Sequence, residues 1–299
     1  MEKSNIHPTA VIENGAKIGK NVAIEPYVII KKHVTIEDGV TVMSHAYIDG
    51  HTTIGEGTTI FPSASIGTKT QDLKFKGETT YVNIGKNCTI REFVTINSSC
   101  NEGSCVSVGD NCLIMAYCHI AHNCKVGDGV IMSNGASLAG HVIVGEYAII
   151  GGMTGVHQFV SIGPHAMVGG MSRISHDIPP YTIGGGIPFK FGGLNIVGLK
   201  RHNFPLHTRK ELAKAFRYVC RSALRFDQAI QKCEDELDPL PEVLHWIEFC
   251  KGSKRGLMGL QGAIKESFEV EQEDDDEDHS AVLAEQKVLT HGEPLMSSQ

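Results

Sequence analysis

The chain has 299 residues, of which 41% are apolar, 20% charged and only 6% aromatic. That is enough chain for one large domain or two smaller ones with a real core, and its aliphatic content excludes wholesale disorder. The formal net charge of −7 argues against a nucleic-acid partner, and no run approaches the about 20 uninterrupted apolar residues of a membrane helix, so no stable membrane insertion is expected.

The N-terminus, Met1 to Pro8, has no apolar signal-peptide segment. From Ile6 onward every sixth residue is aliphatic. Of the 29 positions in this frame between 6 and 174, 26 are Ile, Val, Leu or Met, and the exceptions are Asp72, Glu78 and Glu102. A period of six is neither helical nor simple strand alternation. It fits a coil of short strands joined by turns, with one large aliphatic pointing inward on each side. The residue four further on is small, as in Ala10, Ala16, Val22 and Ala46. Gly, Asn and Asp gather at the turns, as in Gly19-Lys20-Asn21, Gly109-Asp110-Asn111 and Gly127-Asp128-Gly129, because they accept the left-handed backbone of a tight corner. Three hexads make one coil, and coils stacked at about 4.8 Å form a prism. A narrow prism has little room for rings, which accounts for the scarcity of aromatics. Solenoids are sought through such internal repeats, and this one predicts a parallel β-helix.

The frame breaks at 72–83 and 102–107 and resumes in phase each time. Both departures read as loops extruded from one corner of the prism, and long loops on a rigid solenoid commonly carry function. Cys88, Cys100, Cys112, Cys118 and Cys124 all occupy the small inward position and are expected to pack as core thiols. Nine cysteines without an export signal suit a reducing compartment, so a cytoplasmic protein is expected. Six histidines fall between 119 and 176, namely His119, His122, His141, His157, His165 and His176, and none occupies an inward position. His119 and His122 have metal-ligand spacing. His122 and Gly140 lie 18 residues apart, one coil, so they should stack on adjacent coils. A general base at His122 would then have a backbone N–H beside it, placed as an oxyanion donor. No Gly-x-Ser-x-Gly nucleophile motif appears, which favours direct acyl transfer to a hydroxyl.

Pro179-Pro180 ends the repeat, and a Gly-rich link follows at Gly184-Gly185-Gly186 and Gly192-Gly193. From about Pro205 apolar residues recur at helical spacing (Leu212, Ala215, Phe216, Val219), and Pro239 and Pro241 open a later helix. The expected organisation is a β-helix over 1–183, a linker and a C-terminal helical domain capping its end over 184–268, and an acidic, solvated tail over 269–299. Eight acids fall in 269–278, and the body up to residue 268 carries a net +2. The excess bases lie in 200–268, where an acidic partner could dock.

The chain resembles the UDP-N-acetylglucosamine O-acyltransferases of lipid A synthesis. The resemblance spans about residues 5–256. It rests on Gln71-Asp72-Leu73-Lys74, His119-Ile120-Ala121-His122, Leu138-Ala139-Gly140-His141, Ile149 to Thr154, Val156-His157-Gln158-Phe159, Asp177 to Tyr181 and Asn195 to Arg201. It implies a left-handed β-helix, a homotrimer with sites between neighbouring subunits, and transfer of an (R)-3-hydroxyacyl or simple acyl chain to the 3-hydroxyl of UDP-N-acetylglucosamine. The donor would be acyl carrier protein bearing phosphopantetheine, with no metal and no separate cofactor. His122 matches the general base and Gly140 the oxyanion N–H. Asp72 and Lys74 match sugar-contacting residues, and His119, His141, His157 and Gln158 match cleft residues. Asn195 and Arg201 match nucleotide-side contacts, and Gly170 matches the position that limits acyl length. Three residues depart from the pattern: Asn123 stands where many relatives have Asp, Val197 where many have Glu, and His202 in place of a second Arg. A hexapeptide carbonic anhydrase would instead offer His119, His122 and His141 to Zn²⁺. A non-catalytic solenoid would need no histidine cluster, and another hexapeptide acyltransferase could use acetyl-CoA or an amino-sugar acceptor.

Overall fold

The computed structural model describes residues 4–260. Among the described residues, short strands, most of them two residues long, alternate with four-residue corners and stack into three sheets of 11, nine and eight strands, parallel except for one terminal strand. The first sheet runs from Asn5–Ile6 to Lys190–Leu194, the second from Val11–Ile12 to Arg173–Ile174, the third from Lys17–Ile18 to Ser161–Ile162. Together they form the left-handed β-helix expected from the hexads. Away from the two loops a strand pairs with one 18 residues on, as Ile6 with Ile24 and Ile12 with Ile30, so identical frame positions stack in columns.

Those columns are the core. Ile30, Ile48, Ile60, Ile66, Ile90, Ile96, Ile114 and Ile120 are fully buried, with Val28, Ala46, Ala64 and Ala136 between them. Each enclosed Ile removes enough apolar surface to stabilise the fold by about 1.5–3 kcal/mol. The inward rule relaxes at the open end. Ile6 is 43% exposed, no coil among the described residues covering it from below. Asn21, Asn111 and Gly129 adopt the left-handed φ expected of the corners, at 55°, 56° and 64°. The same conformation is taken by rings: Tyr27, His45, Phe93, Tyr117, His141, Phe159 and His165.

Both frame breaks lie at the corner joining the second sheet to the third. One connects Ser65–Thr68 to Tyr81–Ile84, and the other connects Thr95–Asn97 to Cys105–Val108. The loops therefore start earlier than the frame suggests, and Tyr81 to Asn83 and Cys105 to Ser107 are strand. The pairing offset grows to 30 residues across the first loop, Ser65 facing Thr95, and 24 across the second, Thr95 facing His119. The loops brace each other: Thr79 N–H donates to Glu102 Oε2 at 2.8 Å, and Gly103 N–H to the Thr79 carbonyl at 2.8 Å.

The expected boundary at 183/184 and the Gly-rich linker need correction. Thr182–Gly185 is a strand of the first sheet, pairing parallel with Met167–Val168, and Lys190–Leu194 returns antiparallel to it. The glycines are part of a hairpin that finishes the sheet, and a side chain at Gly184 would strike the ring of Phe189 and the Lys190 carbonyl. Phe189, Ile178 and Met258 close the end of the solenoid core. The last coil is therefore sealed by a hairpin and a returning segment rather than by a helix alone. Four helices follow among the described residues: α1 (Ile196–Arg201), α2 (Leu206–Arg221), α3 (Phe226–Glu236) and α4 (Pro241–Gly252). α2 and α4 match the sequence expectation, Pro241 entering at the first turn where its missing N–H costs nothing. The helices pack around Trp246, Leu212, Ala215, Val243 and Ile247, a second core. Asp177 ties this part to the solenoid. Its buried carboxylate accepts from Ser161 N–H and from Ser253 O–H, each at 2.7 Å. Residues 4–260 belong to one compact unit. The acidic tail and residues 261–268 lie outside the described residues.

Candidate active site

The corner between the second and third sheets carries His122, Gly140, His141, His157 and Gln158 on successive coils, below the two braced loops. His122 and Gly140 stack as the coil length requires. A Cβ added at Gly140 would fall on Cε1 and Nε2 of the His122 imidazole, so only glycine leaves that ring its place. The Gly140 carbonyl accepts from Phe159 N–H, whereas its own N–H has no acceptor among the described residues. His141 holds φ at 61°, donates its N–H to the His122 carbonyl at 3.0 Å and stacks on Phe159 with centroids 4.6 Å apart.

Asn123 resolves the first departure. Its Oδ1 lies 3.0 Å from His122 Nδ1, while its Nδ2 donates to Asn101 Oδ1 at 3.3 Å. An amide oxygen only accepts, so Nδ1 donates to it, and in the neutral imidazole Nε2 then carries the lone pair. Nε2 faces the first loop, where Asp72 Oδ2 stands 3.8 Å away. Asp72 is held by its turn: Oδ1 accepts from Lys74 N–H at 2.8 Å. The neighbouring imidazoles are kept neutral. Burial, then the proximity of His122, holds both His119 and His141 below the usual histidine range, Asp72 opposing the shift at His141. His119 pairs through Nδ1 with Thr95 Oγ1 at 2.7 Å.

Cys100 departs from its expected place. It sits at the small frame position but on the second loop, and it joins the corner cluster instead of the solenoid core that takes Cys88, Cys112, Cys118 and Cys124. Its thiol donates to Asn123 Oδ1 at 3.0 Å and lies 3.5 Å from His122 Nδ1. Burial and the charge of Asp72 push this thiol up. The frame break at Glu102 was the available signal, since a residue next to it belongs to the loop. Of the possible metal-ligating trios at this corner, Cys100, His122 and His141 come within 4.8 Å of one another, not the set containing His119.

The remaining expected residues are spread from this corner to the helical part. His157 and Gln158 are exposed at the same corner, His157 Nδ1 lying 3.1 Å from the Gln158 carbonyl. Gly170 is on the corner between the first and second sheets, beside exposed Met153 and Met171. Asn195 caps α1: Oδ1 accepts from Gly198 N–H at 3.0 Å and Nδ2 donates to the His165 carbonyl at 3.0 Å. That leaves its amide occupied by the fold. Arg201 ends α1, and the next residue, His202, packs on Tyr147 and His165 with centroids 4.5 and 4.7 Å away. Val197 is exposed. No helix among the described residues is long and apolar enough to cross a membrane.

A hexapeptide β-helix with a stacked His and Gly on a loop-covered corner defines a hexapeptide-repeat acyltransferase. Residues 105–140 match the six-repeat bacterial transferase hexapeptide, and residues 177–258 match the second domain of the UDP-N-acetylglucosamine O-acyltransferases. The chain is 58% identical over 269 residues to the acyl-[acyl-carrier-protein]–UDP-N-acetylglucosamine O-acyltransferase of Chlamydia caviae, covering 90% of this chain and 96% of that one. It is 57% identical to the Chlamydia abortus protein of the same name, over 91% and 97% of the two chains. The crystal structure of the UDP-N-acetylglucosamine acyltransferase from Bacteroides fragilis superposes with a TM-score of 0.82 at 41% identity, over 84% of this chain and 99% of that one. The chain belongs to the UDP-N-acetylglucosamine O-acyltransferase family, as its motifs indicated.

Proposed function

We propose that the protein transfers a fatty acyl chain, expected to be (R)-3-hydroxyacyl, from acyl carrier protein to the 3-hydroxyl of UDP-N-acetylglucosamine, the first step of lipid A synthesis. The observation that carries this reading is the His122 ring, oriented by Asn123 and lying against Gly140, whose N–H has no acceptor among the described residues. Nε2 takes the proton of the sugar hydroxyl as its oxygen attacks the thioester carbonyl. The resulting oxyanion accepts from Gly140 N–H. Collapse breaks the C–S bond, and the imidazolium returns its proton to the phosphopantetheine thiolate, leaving acyl-sugar and free carrier thiol. Asp72, 3.8 Å from Nε2, favours the transient imidazolium. No resident cofactor or metal takes part.

Asp72 and Lys74 on the first loop, with His119, His141, His157 and Gln158, form the acceptor cleft. Arg201 serves the nucleotide side, with Asn195 acting there through the α1 it caps, and Gly170 leaves room for a long chain. His122, Gly170 and α1 occupy three different places on one solenoid, and a homotrimer that packs corner against sheet would unite them in sites shared between subunits. The protein would work in the cytoplasm, where the acyl carrier protein is found, and the basic helical part offers that acidic carrier a docking face. The test is turnover of a panel of acyl carrier protein thioesters with UDP-N-acetylglucosamine by wild type and His122→Ala. A base of this kind contributes about 10²–10⁴-fold, so near-wild-type turnover by a folded His122→Ala variant overturns the mechanism.

A further inference from the structure

The second loop brings a soft ligand to a corner otherwise made of imidazoles. Cys100 Sγ stands 3.5 Å from His122 Nδ1, and one ligand atom from each of Cys100, His122 and His141 lies within 4.8 Å of the others. Tetrahedral Zn²⁺, with bonds of about 2.3 Å to sulfur and 2.0–2.1 Å to nitrogen, holds its ligands roughly 3.3–3.7 Å apart. The thiol and His122 already meet that spacing, and His141 needs a shift of only about 1 Å. We propose that Cys100, His122 and His141 form a binding site for a thiophilic divalent cation, Zn²⁺, with its fourth position open to the cleft. On binding, the thiol proton leaves to solvent and sulfur coordinates as thiolate. His122 Nδ1 exchanges its hydrogen bond to Asn123 for the metal, which moves the imidazole proton to Nε2. There Asp72, now 3.8 Å away, becomes its acceptor, the carboxylate–histidine–metal arrangement that orients ligands elsewhere.

The same tautomer shift removes the base. Nε2 must be bare to take the sugar proton, and in the ion-bound site it carries a hydrogen. Zn²⁺ therefore switches transfer off. Occupancy of the site stands on geometry alone, and only this consequence rests on His122 as the base.

Co²⁺ added to the metal-free full-length protein tests the site directly, because a thiolate ligand gives a sulfur-to-cobalt charge-transfer band. One equivalent per chain is expected to produce that band, Zn²⁺ to displace it, and Cys100→Ser to abolish it. Loss of a ligand should weaken Zn²⁺ binding beyond the about 10–100-fold that outer-shell changes cost. The other trio of potential ligands among the described residues, His207, Glu211 and Asp238, has no thiol, and His207→Ala should leave the band intact. Turnover, referred to each variant's own metal-free rate, should be inhibited by Zn²⁺ in wild type at concentrations that spare Cys100→Ser. Absence of the band in wild type, or its survival in Cys100→Ser, overturns the site. A band with unimpaired turnover in Zn²⁺ leaves the site standing and overturns His122 as the base.

Discussion

His122 Nδ1 lies 3.0 Å from an amide oxygen, Asn123 Oδ1. The amide fixes the tautomer without adding negative charge beside the ring. Asn123→Asp adds that charge. Stabilising the imidazolium should move the acidic limb of the pH–rate profile to higher pH. Asn123→Leu removes the acceptor and should lower kcat by about 10–100-fold, the scale of lost orienting partners. A pH profile of kcat and kcat/KM for both variants checks this, and unchanged limbs in Asn123→Asp count against the orientation argument.

Gly140 is dictated by the imidazole above it. A single methyl there would occupy the ring's own volume. Gly140→Ala keeps the N–H but displaces the His122 imidazole, and is expected to lose about 10²–10⁴-fold in turnover, the scale of a general base, while its circular dichroism stays near wild type. A variant that unfolds instead would place the glycine's role in the corner and not in the site.

His165 gives a pH signature to stability. Burial, followed by the nearby His202, lowers it to about 4. It is enclosed by Tyr147, Tyr181 and Phe204, and its Nδ1 is buried without a partner. A depressed histidine favours the folded state fully above its unfolded pKa of about 6.5, and that contribution fades as pH falls through 4. The loss amounts to up to about 3 kcal/mol over that window. His165→Phe should flatten the decline in urea midpoint between pH 6.5 and 4. A decline as steep as wild type would mean that other groups carry it.

Ile120 is enclosed between Ile96 and Leu138 on the adjacent coils, next to the histidine pair. Ile120→Ala leaves a void that stacked coils cannot collapse into, at about 2–5 kcal/mol. Chemical denaturation should show this as a lower midpoint with an unchanged slope. A cost under about 1 kcal/mol would mean that the coils relax.

The hexad made the solenoid legible, because an inward aliphatic every six residues has one geometric solution and any coil pairs with its neighbour at 18. It also placed His122 over Gly140. It misplaced Cys100, since counting along the frame assigns a direction only where the corner is short, and here an inserted loop carries the residue outward. Thr182–Gly185 escaped notice because glycine carries no pattern, and its strand is fixed by pairing with Met167–Val168. The six-residue α1 depends on the Asn195 cap, and α3 has a thin apolar stripe in Ala229, Ile230 and Cys233. The contact of Asp72 with His122 depends on how a loop folds back, which no local period encodes.

Rings at left-handed corners have a bearing on what the site does on meeting a ligand. A non-glycine residue held there costs about 1–2 kcal/mol, and stacking on the next coil, as His141 does on Phe159, returns about 0.5–1.5 kcal/mol. Backbone and side chain are thereby locked together, and the imidazole keeps one rotamer in the free protein. The stack leaves the His141 backbone and ring little freedom beyond the shift of about 1 Å that an ion would ask of it. Any part it takes in recognition would start from a ring already placed by the stacking of the coils, so the entropy of ordering would fall mainly on the ligand.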